Sequence, residues 1–556
     1  MRVLVRRKYP TEGGIQLAAD VYLPEGPGPF PVILCRTPYD RVGHLGPRAP
    51  GFVNRGYAYV AADCRGRYES EGEYTRPFEE VVDGQATIEW IAGEKWCNGR
   101  IGMWGRSYGG LFQVPAAVGG HEAIRCICPS IVCSRFFPNW ARYDGCFALR
   151  NPLWWIISNG VGRTQPPMAH FDIERLQQMK TIDEVEEAAG FELRPLRDVA
   201  EHDTEDEFWA SIDQWPMHSK IEVPGLHVGG WFDHVSRGAY EGYQRIRDLG
   251  ATEAARAGQR LFIGPWGHMS LFGTGDAHRR YGIWDFGQAA DVPVIEHELR
   301  FFDLHLKDMD DGISEEPPVR IFLMGPNQWI DLPDWPPPDA AVQYWHLDSA
   351  GNAHGQRGDG VLTREPPGRT AEDLIVYDPC SPLPTWGGQV FWNMEPRGPQ
   401  DQSQWLERDD VLLYRSDPLL APLTVVGDVE LDITLATDVD DTDIVAKLCV
   451  VEDNGSVTCL TVGSFRCRYR EGWDKRVPME HGEPTPIGLH LMQLAYTFPA
   501  GSRIAVMVTS SDYPRIQPHT NTMAKPWTAV TPVVARTRLS HGPGIRAALK
   551  LPVLAL

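Results

Sequence analysis

The sequence predicts an α/β core, split by an inserted helical cap and followed by an all-β sandwich. Three observations carry this. Short apolar runs alternate with amphipathic helical stretches from Pro31 to about residue 130, and again from Gly225 onward, the pattern of a parallel sheet with helices on both faces. Between 131 and 222 the alternation stops, and aromatic residues and charged helical runs replace it. After Tyr344 helical periodicity vanishes, and short alternating segments separated by turns take over, as in a β-sandwich. The expected division is core at 1–130 and 223–340, cap at 131–222, and sandwich at 341–556.

In chain order, residues 1–30 read as a hairpin-like region with turns at Gly13-Gly14 and over 24–29. Pro31–Cys35 is a buried strand leading into Arg36-Thr37-Pro38-Tyr39-Asp40. Tyr57–Ala62 is the next strand, running into the polar loop Asp63–Gly72. Asp63 and Arg65 read as an ion pair bracing that loop, rather than as catalytic groups. A helix is expected over 79–92, with Val82, Ala86, Ile88 and Ile91 as its apolar stripe. Arg100–Trp104 and Ala123–Cys128 are strands, and Leu111–Val118 between them is a packed helix. Pro115 is tolerable there because it lies in the first turns.

In the cap, Phe136, Phe137, Trp140, Tyr143, Phe147, Trp154 and Trp155 are expected to form mostly its own core, with one or two facing substrate. The acidic run Glu201–Glu207 reads as a solvated helix face, with binding of a substrate ammonium as the functional alternative. The core resumes with strand Gly225–Gly230, a helix over 236–249, strand Arg260–Trp266, a helix over 293–307 and strand Pro318–Gly325. Proline-rich text at 333–338 marks a boundary. Leu423–Val426, Val429–Leu435, Val445–Val451 and Arg503–Thr509 are strands of the sandwich.

Composition narrows the function. The chain has 556 residues, enough for two to four domains, and 42% are hydrophobic, which excludes wholesale disorder. A net charge of −21 argues against nucleic-acid partners and anionic membrane surfaces. Neither a signal-peptide apolar stretch nor a membrane-length apolar run is found. The 11 cysteines, Cys126, Cys128 and Cys133 among them, lack metal-ligand spacing and read as reduced core thiols of a cytoplasmic protein.

The chemistry centres on Gly105-Arg106-Ser107-Tyr108-Gly109. A strand before it and a helix after it give the context of a nucleophile elbow. The turn is tight, so small residues must flank the serine. The Ser107 hydroxyl then stands beside a helix N-terminus, which favours developing negative charge. Asp233 and His268 each follow a strand, and the order Ser107, Asp233, His268 is that of an α/β-hydrolase. His234 is the rival imidazole. Neighbouring residues at a strand end point apart, so His268 is the expected base. The loop after Pro31–Cys35 has no glycine run and Pro38 has no N–H to give, so a side-chain oxyanion donor is needed. Tyr39 fits, though packing or capping the loop is an equal reading from spacing alone.

These stretches resemble the cocaine-esterase-like (CocE/NonD) serine hydrolases, relatives of X-Pro dipeptidyl-peptidases and α-amino acid ester hydrolases. The likeness lies in Thr37–Asp40, Asp63–Gly72, Glu89–Gly110, Gly229–Asp233, Gly264–His268 and Asp285-Phe286-Gly287. It extends to Asp441-Thr442-Asp443 and Ala446-Lys447-Leu448, and so covers nearly the whole chain. The resemblance implies a C-terminal jelly roll packed over the site. It implies Ser107 as nucleophile, Asp233 as acid and His268 as base. Tyr39 through its hydroxyl and Tyr108 through its backbone N–H become the oxyanion donors. His234 and Val235 would face the acyl pocket. Gly267 departs from the serine common among relatives.

The implied chemistry is hydrolysis of a small-molecule ester or amide through an acyl-enzyme, with no metal or organic cofactor. A peptidase or amino-acid ester hydrolase is the alternative, and it needs carboxylates to pair a substrate ammonium. A third reading keeps the β domain as a carbohydrate-binding module on a vestigial hydrolase, and a homo-oligomer is compatible with any of them.

Overall fold

The computed structural model describes residues 1–74, 80–391, 393–394 and 396–555, and of Phe272 only the backbone. Ten strands make the core sheet. They are β1 (Arg2–Pro10), β2 (Gln16–Leu23), β3 (Phe30–Thr37), β4 (Ala58–Asp63), β5 (Cys97–Arg106), β6 (Ile124–Ser130), β7 (Gly225–Gly230), β8 (Gln259–Gly264), β9 (Val319–Leu323) and β10 (Gln328–Leu332). Their order is β1-β2-β4-β3-β5-β6-β7-β8-β9-β10. β3 through β9 run parallel, while β1, β2 and β10 add antiparallel edges. The central strands are mostly apolar and become buried toward their carboxyl ends, as a sheet covered on both faces requires.

Helix α1 (Val81–Ala92) buries Ile88 and Ile91 as expected. Val82 of the expected stripe is instead 44% exposed. Gly84 takes the inward place, because a Cβ there would lie 2.5 Å from that of Ala116 on the neighbouring helix. Glu79, where the expected helix begins, lies outside the described residues.

The helix after the elbow starts earlier than expected and is broken into α2 (Tyr108–Leu111) and α3 (Gln113–Ala117). Pro115 explains the break. Its missing N–H releases the Leu111 carbonyl, which accepts instead from Gln214 Nε2 at 2.6 Å. The cap is thereby tied to the elbow helix. Helices α4 (Arg237–Leu249) and α5 (Val294–Lys307) cover the sheet where periodicity put them.

From Ala341 the regular structure is almost all strand. Eleven strands form one mostly antiparallel sheet, ten along one hydrogen-bonded path and Thr485–Phe498 branching from it to pair with Leu423–Thr437. The expected segments at 423–426 and 429–435 are one strand, Leu423–Thr437, with a bulge between Asp428 and Glu430. Strand Val457–Arg466 packs on strand Thr485–Phe498 so closely that a Cβ on Gly463 would lie 2.0 Å from the His490 carbonyl. All eleven cysteines are free, and all but Cys97 and Cys380 are buried. No helix among the described residues is long and apolar enough to cross a membrane.

Candidate active site

Four parallel strands end at one edge of the sheet, and each delivers one side chain there. Tyr39 follows β3, Ser107 follows β5, Asp233 follows β7 and His268 follows β8. The carboxyl edge of an open parallel sheet is where such folds bind ligands.

Ser107 sits at φ 56°, ψ −125°, a left-handed conformation that costs a non-glycine residue energy. Close packing fixes it. A Cβ on Gly105 would lie 2.4 Å from the Gly109 carbonyl, and one on Gly110 would lie 2.5 Å from Val132 Cγ1. The Ser107 amide donates to the Ser130 carbonyl at 3.0 Å. Behind the elbow, Glu80 accepts from the Tyr108 hydroxyl at 3.0 Å and from Arg36 Nε at 2.7 Å.

β7 and β8 approach closely past their last residues. A Cβ on Gly230 would lie 2.2 Å from the Trp266 carbonyl, and that carbonyl accepts from the Phe232 amide at 3.0 Å. This approach brings His268 Nδ1 to 3.2 and 3.1 Å from the two Asp233 oxygens. Oδ1 also accepts from the Val235 amide at 2.9 Å. Burial alone would raise the Asp233 carboxyl, but His268 and then His234 outweigh it and hold it well below the usual range. The acid therefore stays ionised at neutral pH.

His234 corrects the strand-end argument. Its Nδ1 lies 3.3 Å from Asp233 Oδ1, without hydrogen-bond alignment. The chain turns at Asp233 instead of extending, so the alternation of a strand does not apply. The two imidazole rings are 5.0 Å apart. His268 keeps the better-aligned contact with the carboxylate.

Tyr39 reaches Ser107 and the Tyr108 backbone with its hydroxyl, and burial pushes its phenol up. The hydroxyl accepts from Trp155 Nε1 at 3.1 Å. Since an indole N–H only donates, the phenol's own proton is left to point elsewhere. Ser107, Tyr39, Tyr108, His234, Val235 and His268 all line one cavity of about 570 Å³.

The cap's Trp140, Trp154 and Trp155 line this cavity too, more than the one or two expected. Phe136, Phe137 and Phe147 form the cap core. Phe391 is a lining residue that sequence reasoning missed. Gln389 donates to the Trp231 carbonyl at 2.8 Å, and Val390 bridges Asp233. Nothing local in 389–391 signals this, since the contact spans more than 150 positions.

Two other expectations are corrected. Asp63 pairs with Arg41 and Arg65 with Asp83, not with each other, because the chain turns at Cys64 and sends them to different elements. The acidic run does not line the cavity, and only its ends, Glu201 and Glu207, are exposed as a solvated face would be. Asp203 pairs with Arg476 at 2.8 Å, Glu205 with Arg135 at 2.5 Å, and Asp206 with His202 at 2.6 Å. At Gly267 a Cβ would lie 1.9 Å from the Tyr281 hydroxyl, so a serine would require Tyr281 to move.

The X-Pro dipeptidyl-peptidase (S15 family) pattern matches residues 13–270, and that of the X-Pro dipeptidyl-peptidase C-terminal non-catalytic domain matches 311–545. Cocaine esterase of Rhodococcus sp. (strain MB1 Bresler) is 32% identical over 92% of this chain and 91% of its own. The chain belongs to the S15 family of serine hydrolases. A solved α-amino acid ester hydrolase superposes with TM-score 0.84 at 26% identity, covering 99% of this chain and 97% of its own. An aminopeptidase from a marine sediment Thaumarchaeota archaeon has TM-score 0.86 at 23% identity, covering 99% and 96%, and shares the fold.

This S15 hydrolase also offers three possible metal donors in Asp233, His234 and His268, whose ligand atoms lie within 4.8 Å of one another. The His268 Nδ1 contact to the Asp233 carboxylate is made without an ion between them.

Proposed function

We propose that this hydrolase is a carboxylesterase working through an acyl-enzyme on Ser107. The observation that carries this is the convergence of Ser107, His268, Tyr39 and Tyr108 on one cavity, with Asp233 behind His268. His268 takes the Ser107 proton as the oxygen attacks the ester carbonyl. Asp233 holds the imidazole tautomer and stabilises the imidazolium. The Tyr39 hydroxyl and the Tyr108 amide receive the oxyanion. His268 then protonates the departing alcohol, and water repeats the sequence on the acyl-enzyme.

Esters are favoured over aminoacyl substrates for one specific reason. The acidic run that would have paired an ammonium does not line the cavity, and an unpaired buried ammonium is costly. The tryptophan wall supports an acyl or alcohol group with an aromatic face. The C-terminal β segment, read as a jelly roll, contributes Phe391 to that pocket.

A fluorophosphonate probe should label wild type and leave Ser107→Ala unlabelled and inactive. Turnover of p-nitrophenyl esters by Ser107→Ala would end the proposal. An aminoacyl ester and its des-amino analogue should have similar kcat/KM; a large preference for the amine would restore the peptidase reading.

A further inference from the structure

Helix Arg150–Trp155 runs straight on into the wider turn Ile156–Gly160. Asn151 stands three and four residues before Trp154 and Trp155, so its amide and the two indoles share one helical face. All three line the catalytic cavity. The aromatic wall therefore carries a carboxamide at its foot.

The fold makes no use of that amide. Asn151 is 2% exposed, and among the described residues its Nδ2 has no hydrogen-bond partner. It reaches the Tyr143 hydroxyl, but without hydrogen-bond alignment. An amide NH2 has two protons to give, so even that contact would leave one over. Helix capping does not employ it either. The Leu149 and Arg150 amides at the start of the helix donate to the Arg515 and Pro514 carbonyls at 3.1 and 3.2 Å.

Other polar groups of the cavity are engaged. Asn159 Nδ2 donates to Ser158 Oγ at 2.6 Å, and its Oδ1 accepts from Gln165 Nε2 at 2.5 Å. The Tyr68 hydroxyl accepts from the Gln165 backbone, and the Tyr39 hydroxyl reaches Ser107. A buried amide without a partner is costly, and a leucine would fill the same place without that cost. The cost is offset if a bound substrate supplies the partner.

We propose that Asn151 is a specificity residue, and that the preferred substrates are esters whose aromatic ring lies against Trp154 and Trp155 and carries a hydroxyl for this amide. The proposal rests on the reading of Ser107 as the nucleophile. A hydroxyl both donates and accepts, so it suits either end of the amide. The spacing fits as well. Trp155 Nε1 meets the Tyr39 hydroxyl at 3.1 Å, beside the oxyanion position. Asn151 lies about 6 Å further along the helix axis, four residues at a rise of about 1.5 Å. One aromatic ring spans that step.

The test uses matched pairs that exchange a hydroxyl for a methyl of similar size. In the acyl arm, p-nitrophenyl 3- and 4-hydroxyphenylacetates are compared with the 3- and 4-methyl analogues. The methylene insulates the carbonyl from the ring substituent. In the alcohol arm, the acetates of 2-(3- and 4-hydroxyphenyl)ethanol are compared with their methyl analogues. Wild type should favour the hydroxyl in kcat/KM by about ten- to a hundredfold in at least one arm, the worth of pairing a buried amide instead of stranding it. Asn151→Leu should bring that ratio to one or below while hydrolysing the methyl analogue as well as wild type does, a readout that loss of the fold would not give. Asn151→Ser, which keeps a hydroxyl at the site, should retain part of the preference. Wild-type ratios close to one in every pair, or a preference unchanged in Asn151→Leu, overturn the proposal. Fluorophosphonate labelling separates the two readings. A labelled Ser107 with ratios close to one sinks the role of Asn151 alone, whereas an unlabelled Ser107 sinks the esterase reading.

Discussion

Trp155 Nε1 donates to the Tyr39 hydroxyl over 3.1 Å. The contact joins the cap to the loop after β3, and it helps orient a phenol whose hydroxyl also reaches Ser107 and the Tyr108 backbone. Removing the phenol oxygen in Tyr39→Phe should lower kcat by about 10²- to 10³-fold, the usual cost of one oxyanion donor. Trp155→Phe leaves the phenol in place but unoriented, so its loss should be smaller, about tenfold. Steady-state kinetics on one p-nitrophenyl ester checks both. An unchanged kcat in Tyr39→Phe would return the residue to packing.

Asp233 serves two imidazoles at unequal quality. Asp233→Asn keeps the shape but favours the wrong tautomer, and kcat should fall by about 10⁴-fold. His234→Asn should cost less than about tenfold, because His268 keeps its own contacts with the carboxylate. If the two histidines exchanged these outcomes, with His268→Ala active and His234→Asn inactive, the base would be misassigned.

Gly105 stands at φ 151° with no room for a Cβ. Gly105→Ala forces the elbow backbone away from Gly109, and should destabilise the protein by about 2 kcal/mol or more. The midpoint of urea unfolding measures it. A midpoint within error of wild type would mean that the elbow is softer than its packing implies.

Burial pushes Asp213 up to about 7, against the lowering pull of Arg135. Its folded value thus exceeds its unfolded one, so protonation favours the folded state. The penalty is absent at pH values below the unfolded value, grows as pH rises toward 7, and is complete above it. Asp213→Asn should therefore raise Tm relative to wild type more at pH 8 than at pH 5. Thermal unfolding at both values decides, and a larger gain at pH 5 would contradict the burial argument.

Much of the core was legible because its signals are local. Periodicity located β3 through β9 within a few residues, and Gly105, Ser107 and Gly109 announced the elbow. Where local text misled, a second element was responsible. Gly84 took the inward place beside Ala116, Val82 was left exposed, and the Leu111 carbonyl found Gln214 across the cap. The bulge in Leu423–Thr437 merged two expected strands into one, since pairing with Thr485–Phe498 continues on both sides of it.

By itself, the sequence determined the order of elements and the residue types that end the parallel strands. These follow from side-chain periods and from glycines that only tight turns need. Only the tertiary structure decided the partners: Trp155 on Tyr39, Phe391 in the cavity, Asp63 on Arg41 instead of Arg65, and the carboxylates of 201–207 away from the cavity. A charge or an aromatic ring carries no address in one dimension. Its partner is chosen by how distant elements pack, which depends on the summed burial of many side chains and not on the spacing of any pair.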